Sequence, residues 1–227
     1  MSILTIYHGS DKKIERPEYK KGKKTNDYGI GFYCTQHYEL ACEWAAKSRD
    51  VQGWVNKYSI DTKELKILDL TDKKYSILNW LAILLENRTF TLTSPISIQA
   101  KDYILKYFKV DISGYDIIKG YRADDSYFSF AEDFLNNIIS LQHLGNAMKL
   151  GKLGIQHVII SEKAFNKLHF ESGEEVNQEI YYNKYCQRDL KAREDYSNSK
   201  IDLSINSNEL YVRNIIMEGI KNGDPRL

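Results

Sequence analysis

Short apolar runs with a two-residue period are the clearest pattern along the chain. Residues 3–8 and 30–35 are rich in β-branched and aromatic residues and adjoin turn-forming residues, which is typical of strands. Similar runs occur at 54–70, 115–120 and 155–161, and the first of these is interpreted as two strands or one strand with a bend. The pattern predicts a sheet whose strands come from distant parts of the chain.

Apolar residues spaced three or four apart predict amphipathic helices between and after these strands. This spacing occurs in residues 36–48, 75–88, 96–109, 140–154, 162–168, 177–196 and 208–223. Thr35 is a candidate cap for the first helix. The mixed order of the elements predicts an α+β domain with inserted and C-terminal helices.

Composition limits the classes of protein to which the chain can belong. Its 227 residues suffice for one large domain, and 32 basic residues against 31 acidic ones give no global attraction to nucleic acid or membrane. We find no signal segment and no apolar run of the roughly 18–20 residues that span a bilayer, so we expect a cytoplasmic protein without a membrane partner. Three cysteines without paired spacing, and histidines without metal-ligand spacing, predict neither structural disulfides nor a metal site.

A locally basic loop follows the first predicted strand. Its basic residues are Lys12, Lys13, Arg16, Lys20, Lys21, Lys23 and Lys24, against Asp11, Glu15 and Glu18. The loop could gather a nucleic acid, cover a phosphate-bearing ligand or simply be solvated. Because no Walker-type or Rossmann-type glycine motif occurs in the chain, a nucleotide would have to be held in another way.

Three short motifs carry the candidate chemistry. "YHGS" ends a strand with His8 and Gly9, and two-residue periodicity places His8 on the same face as Leu4 and Ile6. "YGIGFYCT" presents Tyr33 two residues after Gly31, and Gln156 lies near the start of a late strand. A glycine inside a strand often marks close approach of a ligand or of another backbone, so both glycines indicate a site.

These motifs together resemble the ADP-ribosyltransferase superfamily, in the branch that contains diphtheria toxin and the poly(ADP-ribose) polymerases. His8, Tyr33 and Gln156 match, in order and rough spacing, the three motif positions of that branch. The chain is still more similar to a bacterial family of unknown function thought to be diverged from these enzymes. The resemblance implies a split β-sheet core in residues 1–170 and a C-terminal helical extension packed on it in residues 171–227.

The resemblance implies NAD as the substrate and assigns roles to individual residues. His8, Tyr33 and Gln156 are the implied catalytic residues, with Tyr33 stacked on the nicotinamide ring. The implied contacts to NAD come from His8, Gly9, Ser10, Gly31, Tyr33, Thr35, Trp44, Arg88 and Asp124. Members of the similar bacterial family often appear beside small antitoxin genes, so the resemblance also implies a toxin or defence effector with a small protein antitoxin as partner.

Gln156 departs from the superfamily pattern, which has glutamate at this position. Glutamine keeps the hydrogen bond but supplies neither a negative charge nor a base. Either the acceptor needs no base, or another carboxylate replaces the glutamate, with Asp124 and Asp125 as first candidates, or NAD is bound without turnover. The leading hypothesis is transfer of ADP-ribose to a macromolecule, protein or nucleic acid. The alternatives are an inactive NAD- or nucleotide-binding or protein-interaction module on the same scaffold and an NAD glycohydrolase.

Overall fold

A mixed sheet forms the centre of the fold. The computed structural model describes residues 3–123, 125–148, 154–201 and 209–227, and within these ranges seven strands are ordered β4-β5-β6-β2-β1-β3-β7. The strands are β1 (Ile3–Ser10), β2 (Phe32–Thr35), β3 (Trp54–Asp61), β4 (Ile67–Asp69), β5 (Ile117–Tyr121), β6 (Ile155–Ile159) and β7 (Leu168–Glu175). Strands β4 and β5 are parallel and the other pairs are antiparallel. The α+β class and six of the strands confirm the sequence prediction, and the run at 54–70 forms two strands.

Helices lie in every range where the spacing predicted them, and one further described helix, α4, lies at Asp125–Leu135, where the spacing predicted none. They are α1 (Tyr38–Ala45), α2 (Ile77–Asn87), α3 (Pro95–Tyr107), α4 (Asp125–Leu135), α5 (Leu141–Ala147), α6 (Glu162–Phe165), α7 (Gln178–Ile201) and α8 (Val212–Met217). Thr35 is not the N-cap of α1, because His37 occupies that position and its N–H donates to Thr35 Oγ1 at 3.2 Å. Among the described helices, none combines the length and apolar character needed to cross a membrane.

Strand β7 was missed by the sequence analysis, which placed only helices beyond residue 170. It pairs with β3 from Leu168 opposite Ile60 to Glu175 opposite Trp54. Its sequence, LHFESGEE, is polar because the strand lies at the edge of the sheet and several of its side chains face solvent. The sheet therefore extends beyond residue 170 into the segment assigned to the helical extension.

The two faces of the sheet are covered differently. One face of β4, β5 and β6 packs against helices α2 to α5 and α8, and this core buries Trp80 and Phe130. The opposite face buries Ile6, Phe32 and Tyr58, with α6 packed over it. Helix α1 packs beneath β1 and β3 on the first face. Most of the buried apolar surface thus supports β4, β5 and β6, while β1, β2 and β3 carry less cover.

Strands β1 and β2 are neighbours in the sheet but pair at only one position. Their backbone pairing is limited to Tyr7 opposite Thr35, whereas β1 pairs with β3 along all eight of its residues. If the register continued, Gly9 would face Tyr33; instead the carbonyl oxygen of Tyr33 accepts a hydrogen bond from the ring of His8. The sheet is therefore open between the two strands beyond their single pair.

Gly9 fixes the distance between β1 and α1. A Cβ atom at position 9 would lie 2.1 Å from the carbonyl oxygen of Ala41 and 2.7 Å from the backbone nitrogen of Ala45. Backbone atoms of a helix cannot move aside as a flexible side chain can. The glycine is thus required by close packing of the helix on the strand, which accounts for the absence of a side chain at position 9.

We predict that Gly9→Ala lowers the free energy of unfolding by about 1–3 kcal/mol, because α1 must shift away from the sheet to admit the methyl group. Gly114→Ala is the matched control, since a Cβ atom there meets nothing within 4 Å. Denaturant unfolding of both variants measures the difference. Equal stability of the two variants would contradict this account of Gly9.

Candidate functional site

A large cleft opens where β1 and β2 separate. Its volume is about 1000 Å³, at the upper end of the range for small-molecule sites. His8, Tyr33 and Gln156 all line this cleft, together with most of residues 11–27. Residues 11–27 connect β1 to the segment before β2 and are called the strap. The three residues selected from sequence are therefore brought together in one place.

The separation of β1 and β2 explains how these side chains share a cavity. Side chains alternate between the two faces of a sheet. His8 lies on the face of Ile6 and Phe32, whereas Tyr33, opposite Val158, and Gln156 lie on the other face. In a continuous sheet His8 would be separated from the other two by backbone, and the gap beyond the Tyr7 pair removes that barrier.

His8 is held in one tautomer by the backbone of β2. Its Nδ1 lies 2.7 Å from the carbonyl oxygen of Tyr33, and since a carbonyl only accepts, Nδ1 must carry the proton. The ring also packs on Phe32, with centroids 4.3 Å apart. Burial lowers the pKa of His8, against opposing effects of the Tyr33 carbonyl and Asp11. The neutral ring therefore offers Nε2 as a hydrogen-bond acceptor.

Tyr33 braces a tight turn as well as lining the cleft. Its hydroxyl donates to the carbonyl oxygen of Gly29 at 2.7 Å and accepts from the N–H of Tyr28 at 3.0 Å. Gly29 has φ of +74°, a conformation that favours glycine. Burial raises the pKa of Tyr33, so the hydroxyl stays protonated. Tyr33 thus presents its ring to the cleft from a fixed position.

Gln156 is buried and its amide group binds two protein acceptors. Nε2 donates to Asp27 Oδ2 at 3.2 Å and to the carbonyl oxygen of Tyr121 at 3.1 Å. Only 2% of the residue is exposed. Because the amide is the donor in both contacts, a carboxylate at this position would face two acceptors instead.

Asp27 is a carboxylate in direct contact with Gln156. It is 7% exposed, lines the cleft, and its Oδ2 also accepts from the N–H of Ala123 at 3.0 Å. Arg88 Nε lies 3.8 Å from Oδ1. Burial raises the pKa of Asp27, while the Ala123 N–H, Arg88, Gln156 and Arg122 oppose the shift. A buried carboxyl with a raised pKa inside a cleft is a frequent mark of a functional site.

Trp44 and Arg122 form a stacked pair at the wall of the cleft. The guanidinium of Arg122 lies 4.0 Å from the ring centroid of Trp44, a cation–π arrangement. Arg122 is buried and both residues line the cleft. Trp44 therefore presents one face to a cation that the protein itself supplies, rather than leaving that face for a ligand ring.

The strap is fixed to the sheet at its start. Asn56, on β3, accepts from the N–H of Ile14 at 2.7 Å and donates to Ser10 Oγ at 3.0 Å and to the carbonyl oxygen of Lys12 at 3.2 Å. Asn56 is fully buried. The hydroxyl of Tyr58 donates to the carbonyl oxygen of Ile14. These bonds hold the strap over the cleft.

Basic groups outnumber acidic ones two to one among the described residues that line the cleft. The basic residues are Lys12, Lys13, Arg16, Lys21, Lys23, Lys47, Arg88 and Arg122, and the acidic residues are Asp11, Glu15, Glu18 and Asp27. Most of the basic residues belong to the strap, at the mouth of the cleft. This distribution favours an anionic ligand.

The remaining predicted residues divide into three groups. Ser10, Gly31 and Arg88 line the cleft with Gly9 and Trp44. Thr35 does not: it is fully buried in β2, and its hydroxyl accepts from the N–H of His37. The structure therefore gives no support to the assignment of Thr35 to NAD contact. Asp124 lies outside the described residues.

Gly31 is required by its protein neighbours. A Cβ atom at this position would lie 2.5 Å from Val158 Cγ1 and 3.1 Å from the carbonyl oxygen of Ile159. On the strap, a Cβ atom at Gly22 would lie 2.6 Å from the carbonyl oxygen of Gly31. The glycine pattern thus indicated close backbone approach correctly, but the approaching groups are β6 and the strap.

Sequence reasoning missed Asp27, Arg122, Lys47 and Tyr185, all of which line the cleft. Asp27 directly precedes the glycine-containing run and Arg122 directly follows β5, so both adjoin segments already selected. Neither belongs to a recognised motif. Lys47 and Tyr185 reach the cleft from beyond α1 and from α7 respectively, a meeting that depends on tertiary structure.

Metal-ligating groups do not cluster in the described ranges. No set of three or more histidine, cysteine, aspartate or glutamate side chains there is placed to hold a metal ion. Cys34 and Cys42 are buried free thiols, and Cys186 is exposed.

Comparison with known proteins gives one match. A family model described as "Protein of unknown function (DUF3990)" matches residues 4–170, which is more than half of the chain and includes β1, β2, β6 and the strap. No curated protein and no solved structure matches the chain.

We predict that Gln156→Glu makes stability depend on pH. The new carboxyl would lie beside Asp27 and the carbonyl oxygen of Tyr121, which raises its folded-state pKa and favours a bound proton. A raised folded-state pKa means that stability is present at low pH and lost as pH rises. The variant should therefore lose more stability, relative to the parent protein, at pH 8 than at pH 5.

Denaturant unfolding at both pH values measures this difference, which we expect to be on the order of 1–3 kcal/mol. Gln36→Glu, at an exposed position, controls for the added charge. A pH-independent difference for Gln156→Glu would show that position 156 does not face Asp27 and Tyr121 in solution.

Proposed function

The chain belongs to the DUF3990 family, and we propose that its cleft binds NAD and that the protein transfers ADP-ribose from NAD to a macromolecular acceptor. The observation that carries this proposal is the meeting of His8, Tyr33 and Gln156 in one cleft between β1 and β2. Their order matches the motifs of the ADP-ribosyltransferase superfamily, and the open pairing of β1 and β2 is consistent with the split sheet of that fold.

The chemistry of NAD suits the distribution of groups in the cleft. Nicotinamide in NAD is a flat cation, which binds favourably against an aromatic face such as that of Tyr33. Nε2 of His8 is an acceptor for a ribose hydroxyl. The pyrophosphate is compatible with the basic strap, and Arg88 is a further candidate donor to it.

The reaction requires the bond between nicotinamide and ribose to break. Positive charge then develops on the ribose, and a hydrogen bond to the ribose together with a nearby negative charge stabilises the transition state. In this proposal Gln156 provides the hydrogen bond through its amide oxygen, because its amide nitrogen already donates to Asp27 and Tyr121. The acceptor reacts at the ribose carbon that nicotinamide leaves.

A second candidate function is NAD binding without turnover. The observation that favours it is that both amide hydrogens of Gln156 are used by Asp27 and Tyr121, so Gln156 acts as a structural donor and brings no charge. The two functions differ in one measurable product, since transfer releases nicotinamide and binding alone does not. Attachment of ADP-ribose to a protein or nucleic acid further distinguishes transfer from hydrolysis, in which water is the acceptor and no macromolecule is labelled.

We predict saturable NAD binding by the folded protein, measured by isothermal titration calorimetry. His8→Ala should weaken this binding roughly 10-fold, because a hydrogen bond worth about 1.5 kcal/mol is lost. His169→Ala, at an exposed position on β7, is the control and should bind as the parent protein does.

Thermal unfolding of each variant establishes that the compared samples are folded. A parent protein that binds no NAD at millimolar concentration would exclude the proposed function. Unchanged NAD affinity in His8→Ala would exclude His8 from the site and leave NAD binding itself intact.

A further inference from the structure

We infer that Asp27 is the catalytic carboxylate of the cleft and that Gln156 positions it. This inference rests on the proposed function and answers the question that glutamine at position 156 raises. In the superfamily pattern a single glutamate provides both the hydrogen bond and the charge. Here the two tasks are divided between neighbouring side chains, with Gln156 providing the hydrogen bond and Asp27 the charge.

The geometry gives the two oxygens of Asp27 different surroundings. Oδ2 accepts from the N–H of Ala123 at 3.0 Å and from Gln156 Nε2 at 3.2 Å. Oδ1 has Arg88 Nε at 3.8 Å, beyond ordinary hydrogen-bond distance. One oxygen thus orients the carboxylate, and the other retains capacity to accept from a ligand in the cleft.

The other carboxylates that line the cleft are placed differently. Asp11, Glu15 and Glu18 belong to the exposed part of the strap, and the last two pair with Lys13 and Lys21. Solvent weakens the field of such exposed charges. Asp27 is the buried carboxylate among the described lining residues, and it directly contacts the position that the superfamily pattern marks as catalytic.

The proposed step balances without a further reagent. The bond between the ribose carbon C1′ and the nicotinamide nitrogen breaks, its electron pair goes to the nitrogen, and neutral nicotinamide leaves. The carboxylate of Asp27 stabilises the resulting cation. A hydroxyl or amine of the acceptor then bonds to C1′ and gives its proton to Asp27, which later releases the proton to solvent.

The environment of Asp27 suits a group that takes up a proton during the reaction. Burial raises its pKa above the ordinary value, and this brings a carboxylate closer to the range of an effective base at neutral pH. The charged groups facing it are Arg88 and Arg122, which oppose that shift. Tyr28 and Tyr33 also face it, and their own raised pKa values keep them neutral.

Asp27→Asn is the test, because this substitution keeps the orienting contacts. An amide oxygen in the place of Oδ2 still accepts from Ala123 and Gln156, so the variant should fold. A group whose folded-state pKa is raised contributes stability below its unfolded pKa and loses that contribution as pH rises. Above its folded-state pKa the ionised Asp27 therefore disfavours folding, and its replacement should leave stability there unchanged or higher.

We predict that Asp27→Asn slows nicotinamide release from NAD on the order of 100-fold or more, a typical effect of removing one electrostatic element from an active site. NAD affinity, measured separately by calorimetry, should change only a few-fold. Asp27→Glu restores the carboxylate and should release nicotinamide faster than Asp27→Asn does.

Asp116→Asn is the matched control, since Asp116 is a buried aspartate outside the cleft. Burial raises the pKa of Asp116, but hydrogen bonds from Ser161 and Lys66 outweigh this effect and hold the pKa below its usual value. This control should lose stability at neutral pH and retain nicotinamide release. We therefore expect Asp27→Asn to keep its stability and lose nicotinamide release, and Asp116→Asn to lose stability and keep nicotinamide release.

The outcomes separate the two proposals. If the parent protein releases nicotinamide and Asp27→Asn does so equally fast, the role of Asp27 is overturned while the proposed function stands. If the parent binds NAD without releasing nicotinamide, the inference is overturned and the non-catalytic alternative is supported. Failure to bind NAD overturns both. A folded Asp27→Asn variant that binds NAD but releases little nicotinamide supports the inference.

Discussion

Strands β1 and β2 share a single backbone pair, and the arrangement of the cleft depends on their separation beyond it. Antiparallel neighbours normally exchange hydrogen bonds along their common length. Here the ring of His8 donates a hydrogen bond to the carbonyl oxygen of Tyr33. Helix α1 packs closely against Gly9, and β6 packs against Gly31. The glycines therefore let each strand be held by its own neighbours, and the space between the strands becomes available to a ligand.

The polar interior of the cleft is organised around Asp27. This carboxylate connects the end of the strap to β6 through Gln156 and to the segment after β5 through Ala123. Burying a charge is costly unless hydrogen bonds and opposite charges compensate, and its raised pKa indicates that compensation is incomplete. A carboxylate that is costly to bury yet held in place by several hydrogen bonds is consistent with selection for function.

The sequence predicted the α+β class and most elements because their apolar periodicity reports burial directly. It also selected His8, Tyr33 and Gln156, since each follows a recognisable pattern of strand and glycine. Strand β7 was not predicted because this edge strand carries many polar side chains and lacks apolar periodicity. Asp27 was not predicted as a site residue for a different reason. Its burial depends on contacts with Ala123 and Gln156, which are about 100 or more positions distant in the chain, and no local sequence pattern encodes such contacts.

The single Tyr7–Thr35 pair also has a consequence for cooperativity. The group β4, β5, β6 and β2 and the group β1, β3 and β7 each have their own hydrogen-bonded ladder and pack on different helices on one face of the sheet, while a single apolar cluster with Ile6, Phe32 and Tyr58 joins them on the other face. The separate ladders favour separate local opening of the two groups, and the shared cluster limits it. Amide exchange would then differ between them in the free protein. A molecule bound across the gap would couple the two openings, and its binding energy would slow exchange in both.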